Sequence, residues 1–308
     1  MAAITAKMVS ELRAKTGVGM MECKKALNEA NGDFDEAVKI LREKGLSVAA
    51  KKAGRIAAEG VVDIMVEGNT AVMIEVNSET DFVAKNETFK EFVRGLEKAI
   101  LATRPASVEA FLAEKYDDNF TVEAKLKDMI FTIGENMNIR RFVVVDGVVS
   151  TYIHGNGGTG VVVKFNADDA AVANPGFAEF AKNIALQIAA GNPPAYVSRD
   201  EVPASAVEEE KAILIAQIKN DEKNAKKPEA IIEKMVTGKI GKFYERVCLV
   251  EQAYVKDDDM KVGEYVAKCA KDFGGEIAID SFYLYEKGEG LEKKEDNFGD
   301  EIAELLNK

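Results

Sequence analysis

The chain repeats itself, and that constrains its fold more than any other feature. "GVVDIMVEGN" at Gly60–Asn69 returns as "GVVSTYIHGN" at Gly147–Asn156. Further on, Asn77 aligns with Asn166, Asn86 with Asn174, and "FKEF" (Phe89–Phe92) with "FAEF" (Phe177–Phe180). The offset drifts by only a residue or two, as short loop insertions would produce. Each copy opens with a strand of alternating apolar positions (Val62, Ile64, Val66; Val149, Thr151, Ile153) and a Gly-Asn turn. A second strand follows (Ala71–Val76; Gly160–Phe165), then an amphipathic helix (Phe89, Phe92, Val93, Leu96; Phe177, Phe180, Ile184, Ile188). A closing strand spans Asn138–Gly147 in one copy and Glu276–Gly288 in the other, with Ile139 and Phe142 aligned to Ile279 and Phe282. The pattern predicts an α+β body of two duplicated lobes, residues 56–146 and 147–288, each an antiparallel sheet packed by helices.

The copies differ in two places. Between helix and closing strand the second copy is longer by about fifty residues, including "PASAVEEEKAILIAQIKNDEKNAKKPEAIIEKMVTGKIGKF". Val207, Leu214 and Ile218 recur at helical spacing, "KNAKKP" turns, and Pro228 suits the first position of a returning helix carrying Ile231, Ile232 and Met235. This predicts an inserted antiparallel helical hairpin (a coiled coil) at about residues 200–240, a natural arm for association. A hairpin folded back on its own lobe is the alternative.

The second difference lies in "EVNSETDFVAKNETF" (Glu75–Phe89). Thr80, Asp81, Phe82 and Val83 form a turn that falls opposite Asp169, Ala170 and Ala171. The sister copy builds this turn without a large hydrophobe, so the fold does not require one. Outward presentation of Phe82 is favoured, while individual repacking of the lobes leaves an inward ring open.

Ahead of the repeat, Thr5 caps a helix through Lys15 that Thr16 and Gly17 end. A second helix runs from about Met20 or Met21 to Ala30. A third starts after the N-cap Asp33, with Glu36 completing a capping box, and buries Phe34, Ala37, Val38 and Leu41. Gly45 is read as lying past its end, and "LSVAAKKAGRIAAEG" as a helical or flexible linker. Residues 1–55 are thus a three-helix head and linker. Met20 and Met21 point about 100° apart on a helix, so a small core cannot take both equally. Exposure of one as an adaptable contact stands beside core packing of both.

Charge and composition narrow the function. The chain carries −12 with a pI near 4.9, which disfavours binding driven by phosphate neutralisation, so no direct nucleic-acid contact is expected. Residues 1–55 hold eleven Lys/Arg against seven Asp/Glu, so the head is basic on an acidic body. Either two surfaces serve different partners or two solvated surfaces simply differ in composition. No apolar run reaches the roughly 20 residues of a membrane span, and Met1–Val18 lacks a signal-peptide core. Three cysteines without C-x-x-C spacing fit a reduced, cytoplasmic setting. The single histidine, His154, has no triad partner, and "GNGGTG" joins two strands rather than opening a helix. No catalytic site, metal site or cofactor is expected.

"LRAKTGVGMMECKKALNEANGDFDEAVKILREKG" (Leu12–Gly45) and "EVNSETDFVAKN" (Glu75–Asn86) both resemble signatures of translation elongation factor Ts. The duplication, the "IGENMNIRRF" stretch, the hairpin and the "GEGLEKKEDNF" tail resemble that family in the same order. The resemblance implies a guanine-nucleotide exchange factor for the GTPase elongation factor Tu, acting without bond chemistry. It implies a ubiquitin-associated-like head whose Arg13, Met20 and Met21 contact the GTPase. Thr80, Asp81, Phe82 and Val83 would be the segment that contacts it beside its magnesium site, with Asp81 and Phe82 intruding. His154 would face another of its domains. The hairpin matches an arm through which some members form a homodimer. A short C-terminal helix, about Asn297–Leu306 within residues 289–308, would pack on the partner.

Overall fold

A computed structural model describes residues 4–190, 192–221, 224 and 227–292. The C-terminal helix expected at about Asn297–Leu306 lies outside the described residues.

Three helices open the chain: α1 (Ala6–Thr16), α2 (Met20–Glu29) and α3 (Phe34–Lys52). Thr5 caps α1 by accepting from the Met8 N–H, and Gly17, at φ 71°, ends it. Asp33 caps α3 by accepting from the Glu36 N–H. Leu12, Cys23, Ala26, Leu27, Ala37 and Leu41 form the head's core. The third helix corrects the sequence reading. Gly45 sits inside α3, which runs on to Lys52, so the first half of the expected linker is helix. Gly45 is buried against Phe131, and a Cβ there would stand 3.5 Å from the Phe131 Cβ. The glycine serves a close helix–helix approach rather than a stop, and its partner is distant in sequence.

The first lobe comprises β1 (Glu59–Glu67), β2 (Thr70–Ser78), α4 (Asp81–Ala84), α5 (Glu87–Thr103), α6 (Val108–Ala113), α7 (Val122–Ile133) and β3 (Met137–Asp146). The second comprises β4 (Val148–His154), β5 (Thr159–Ala167), α8 (Asp169–Val172), α9 (Phe177–Ala189), α10 (Ala204–Asn220), α11 (Glu229–Val247), β6 (Ala253–Tyr254), β7 (Asp257–Lys261), α12 (Val262–Phe273) and β8 (Ile277–Glu286). The three-stranded sheets are ordered β1-β2-β3 and β4-β5-β8, all neighbours antiparallel. Register shifts fall at Glu75/Val76 and at Lys164/Phe165, the same place in each copy.

One face of each sheet packs on helices. Phe89, Phe92, Val93 and Leu96 fill the first core; Phe177, Phe180, Ile184 and Ile188 fill the second. The opposite faces meet each other through Val62, Ala71, Met73, Val145 and Val162. The central strand β2 is therefore buried on both sides, and its apolar run is continuous rather than alternating.

The hairpin α10–α11 packs Leu214, Ile218, Ile232 and Val236 into a cluster of its own, apart from the lobe core. It runs from 204 to 247, longer than read from sequence, and Pro228 is the N-cap rather than the first helical residue. Ile231, read as part of the returning helix's apolar spacing, is 45% exposed.

Candidate functional site

Thr80–Val83 is not an open turn but the start of a one-turn helix, α4. On it Phe82 is 79% exposed, while Val83 is buried in the first-lobe core. In the matching helix α8, Ala170 is exposed and Ala171 is buried. The two copies thus share one inward and one outward position, and the phenylalanine occupies the outward one. Val83 anchors the turn from within and offers no exposed face.

The turn is braced on three sides. Thr80 donates from its N–H and its hydroxyl to the two carboxylate oxygens of Glu135, at 3.0 and 2.8 Å. Ser78 donates to the Thr80 carbonyl at 3.0 Å. Lys85 pairs with Asp81 at 2.6 Å and stands 5.9 Å from the centre of the Phe82 ring. The hydrogen bond from Lys85 holds the Asp81 carboxyl below the usual range. Sequence reading missed Lys85 and Glu135. Lys85 stands one helical turn after Asp81, so its signal was legible; Glu135 is remote in sequence and gave none.

The second-lobe hairpin lies across the seam. Gly157, at φ 91°, accepts from the Val62 N–H at 2.8 Å, and Gly158 accepts from the Lys287 N–H at 2.9 Å. A Cβ on Gly160 would come within 2.5 Å of Val62. These glycines serve close contact between lobes as well as the hairpin turn. His154 remains exposed, its Nδ1 3.1 Å from the Tyr152 hydroxyl. A cavity of about 540 Å³ separates α4 and α5 from this hairpin. Asp63, Asp81, Lys85, Arg94, Asn156 and Lys287 are among its lining residues. The structure thus brings Asp81 and the hairpin that carries His154 to one cavity.

Glu75 ties the lobes. It is fully buried and accepts from Arg140 (2.9 Å), Arg141 (2.7 Å), Asn77 (3.1 Å) and the Gly288 N–H (2.8 Å). Burial pushes its carboxyl up, but these hydrogen bonds outweigh burial and leave it below its ordinary value. Arg141 also stacks on Tyr285 at 4.1 Å.

Arg13, Met20 and Met21 lie on the head, on a different support from α4. Both methionines are exposed, at 49% and 67%. Val18 and Cys23 fill the nearby core instead, so neither methionine packs inward. Among the described residues no His/Cys/Asp/Glu group could hold a metal ion, and no helix is long and apolar enough to cross a membrane.

The fold and site define a class: a duplicated α+β protein that presents exposed apolar side chains on braced supports. Residues 79–289 match the family model described as Elongation factor TS. The chain is 46% identical over 310 residues to Elongation factor Ts of Clostridium botulinum (strain Eklund 17B / Type B), covering 99% of this chain and 100% of that protein. It is 48% identical over 309 residues to Elongation factor Ts of Syntrophotalea carbinolica, covering 98% and 99%. The same protein of Clostridium perfringens (strain SM101 / Type A) is 46% identical over 310 residues, covering 99% and 100%. The chain belongs to the elongation factor Ts family.

Proposed function

We propose that this chain is a guanine-nucleotide exchange factor: it binds elongation factor Tu, disturbs its magnesium and phosphate site, and promotes GDP release so that GTP can enter during translation elongation. The observation that carries this reading is Phe82, 79% exposed on a helical turn fixed by Glu135 from one side and by Val83 from within. An exposed aromatic on a rigid support is a wedge. Burying it in a partner contributes about 1.5–3 kcal/mol, available only when the partner opens to receive it.

Exchange needs differential affinity rather than bond chemistry. A factor that weakens GDP binding is itself weakened equally by GDP. Each tenfold requires about 1.4 kcal/mol. A wedge that separates the elements carrying magnesium ligands removes the main charge neutralising the phosphates. Asp81, its carboxyl held below the usual range by the hydrogen bond from Lys85, brings a carboxylate to the wedge tip that can compete for a donor on the partner. Thr80 and Val83 hold the wedge. Arg13, Met20 and Met21 dock the head, of ubiquitin-associated type, on the GTPase, and His154 touches another of its domains. The α10–α11 hairpin is the arm through which two copies of the chain pair, with Ile213 and Ile231 exposed on it.

Release of fluorescent GDP from elongation factor Tu tests the reading. Full-length protein should accelerate release and Phe82→Ala should lose most of that acceleration. Binding of the factor without acceleration would identify a scaffold instead.

A further inference from the structure

We infer that Glu135 is a positioning residue for exchange, acting through Phe82; the inference rests on the exchange reading above.

The helix α4 has one turn, and no side chain of its own caps it. Its N-cap residue Thr80 is instead held from outside, by both oxygens of Glu135. Glu135 lies in the loop between α7 and β3, where Gly134, at φ 88°, ends α7. The neighbouring residues fasten this loop to other elements. The Asn136 N–H donates to Glu79 at 2.6 Å, and its side-chain amide donates to the Arg55 carbonyl at 2.8 Å. Lys52, the last residue of α3, donates to the Gly134 carbonyl. Glu135 is therefore attached to a loop that is itself fixed on two sides.

The second lobe makes the same joint differently. Strand register aligns Asn138 with Ala278, which sets Glu135 opposite Gly275 and Asn136 opposite Glu276. There the carboxylate comes from the turn: Asp168, the N-cap of α8, accepts from Ala171 N–H at 2.8 Å and from Glu276 N–H at 2.9 Å. A Cβ on Gly275 would lie 2.2 Å from the Asp168 oxygen, so no side chain fits on the strand side. In the first lobe the two tasks are divided: Glu79, on the turn side, takes the Asn136 N–H as Asp168 takes that of Glu276, and Glu135 supplies a second carboxylate from the strand side to hold Thr80. The turn carrying the exposed phenylalanine is the one braced from the strand, and the turn carrying Ala170 caps itself. With Val83 packed inside and Thr80 held by two bonds, the backbone bearing Phe82 has one orientation.

The test measures release of fluorescent GDP from elongation factor Tu at saturating full-length factor. Glu135→Ala is expected to lower the acceleration about tenfold, since it removes two hydrogen bonds to a charged group. Glu135→Gln, which still accepts from the Thr80 N–H, should recover most of it. Thr80→Val should fall in the same direction by less, and serves if Glu135→Ala does not fold. The decisive arm is the double variant. On a Phe82→Ala background, Glu135→Ala should change nothing further. Wild-type acceleration by folded Glu135→Ala would overturn the inference, as would an equal loss with and without Phe82. Wild-type acceleration by Phe82→Ala would overturn the wedge role of Phe82, and the inference with it, whereas absence of acceleration by the wild-type protein would overturn the exchange reading itself.

Discussion

Phe82 and Ala170 occupy one position in two copies of the same helical turn, both pointing out, while Val83 and Ala171 beside them point in. Stability and activity should therefore separate between adjacent residues. Phe82→Ala should leave thermal unfolding within about 0.5 kcal/mol of wild type, because an exposed ring contributes little to the core. Val83→Ala should destabilise by about 1–2 kcal/mol, through lost burial and a small cavity. Denaturant unfolding of both variants, beside GDP release, checks the pair.

A second prediction concerns Glu97. It is buried on α5, one of its oxygens has no hydrogen-bond partner, and its carboxyl is pushed up from 4.5 to about 9. Burial is the main cause; Asp63 raises it further and Arg94 opposes. The folded state thus keeps a proton that the unfolded state releases, so stability falls as pH rises from about 4.5 to about 9. Glu97→Gln keeps the shape without the titration. Its thermal midpoint should exceed that of wild type at about pH 8, with the gap closing toward about pH 5. A gap independent of pH would contradict a protonated Glu97.

Glu75 has the opposite sign. Its carboxyl lies below the ordinary value in the folded state, so its stabilisation is present above about pH 4.5 and is lost as pH falls through the folded value. Glu75→Ala would leave Arg140 and Arg141 without their shared carboxylate. A loss of about 3 kcal/mol is expected near neutral pH, as for other broken buried pairs. Because Glu75 also holds the Gly288 N–H, hydrogen exchange at Gly288 should quicken in this variant more than exchange in the α9 core.

Gly160 tests the seam from the other lobe. A methyl group there meets Val62 at 2.5 Å and Met73 at 3.1 Å. Gly160→Ala should cost about 1–3 kcal/mol by overpacking. Gly68→Ala is a useful contrast, since nothing lies within 4 Å of its absent Cβ and only its φ of 58° opposes the substitution. Calorimetry on both separates interlobe crowding from backbone strain.

The six strands of the two main sheets, the head helices, the leading amphipathic helix of each copy, the hairpin and the outward Phe82 were legible because their signals are local or duplicated. Turn glycines, alternating residues and caps act within a few positions, and a second copy supplied an internal comparison at position 82. What escaped depends on contacts between distant segments. Gly45 reads as a stop until Phe131 is beside it. The continuous apolar run of β2 has its cause in a second sheet that β2 itself does not specify. Glu135 holds Thr80 from a loop fifty-five positions away and has no acidic counterpart at Gly275, so comparing the copies residue by residue does not find it.

The unbroken α3 changes how the two exposed surfaces add. A head on a leash would search for its contact after the body had bound, at an effective concentration set by the leash. Here Gly45 against Phe131 holds α3 on α7, and Lys52 on Gly134 fastens the end of α3 beside the loop that steadies Thr80. Should Met20, Met21 and Phe82 dock as proposed, they would form a bivalent probe of set span. Once one end engages a partner of matching span, the other is already in place, and avidity is gained without ordering a linker. A partner of different span would gain only one contact, so the distance between the two surfaces itself selects the partner.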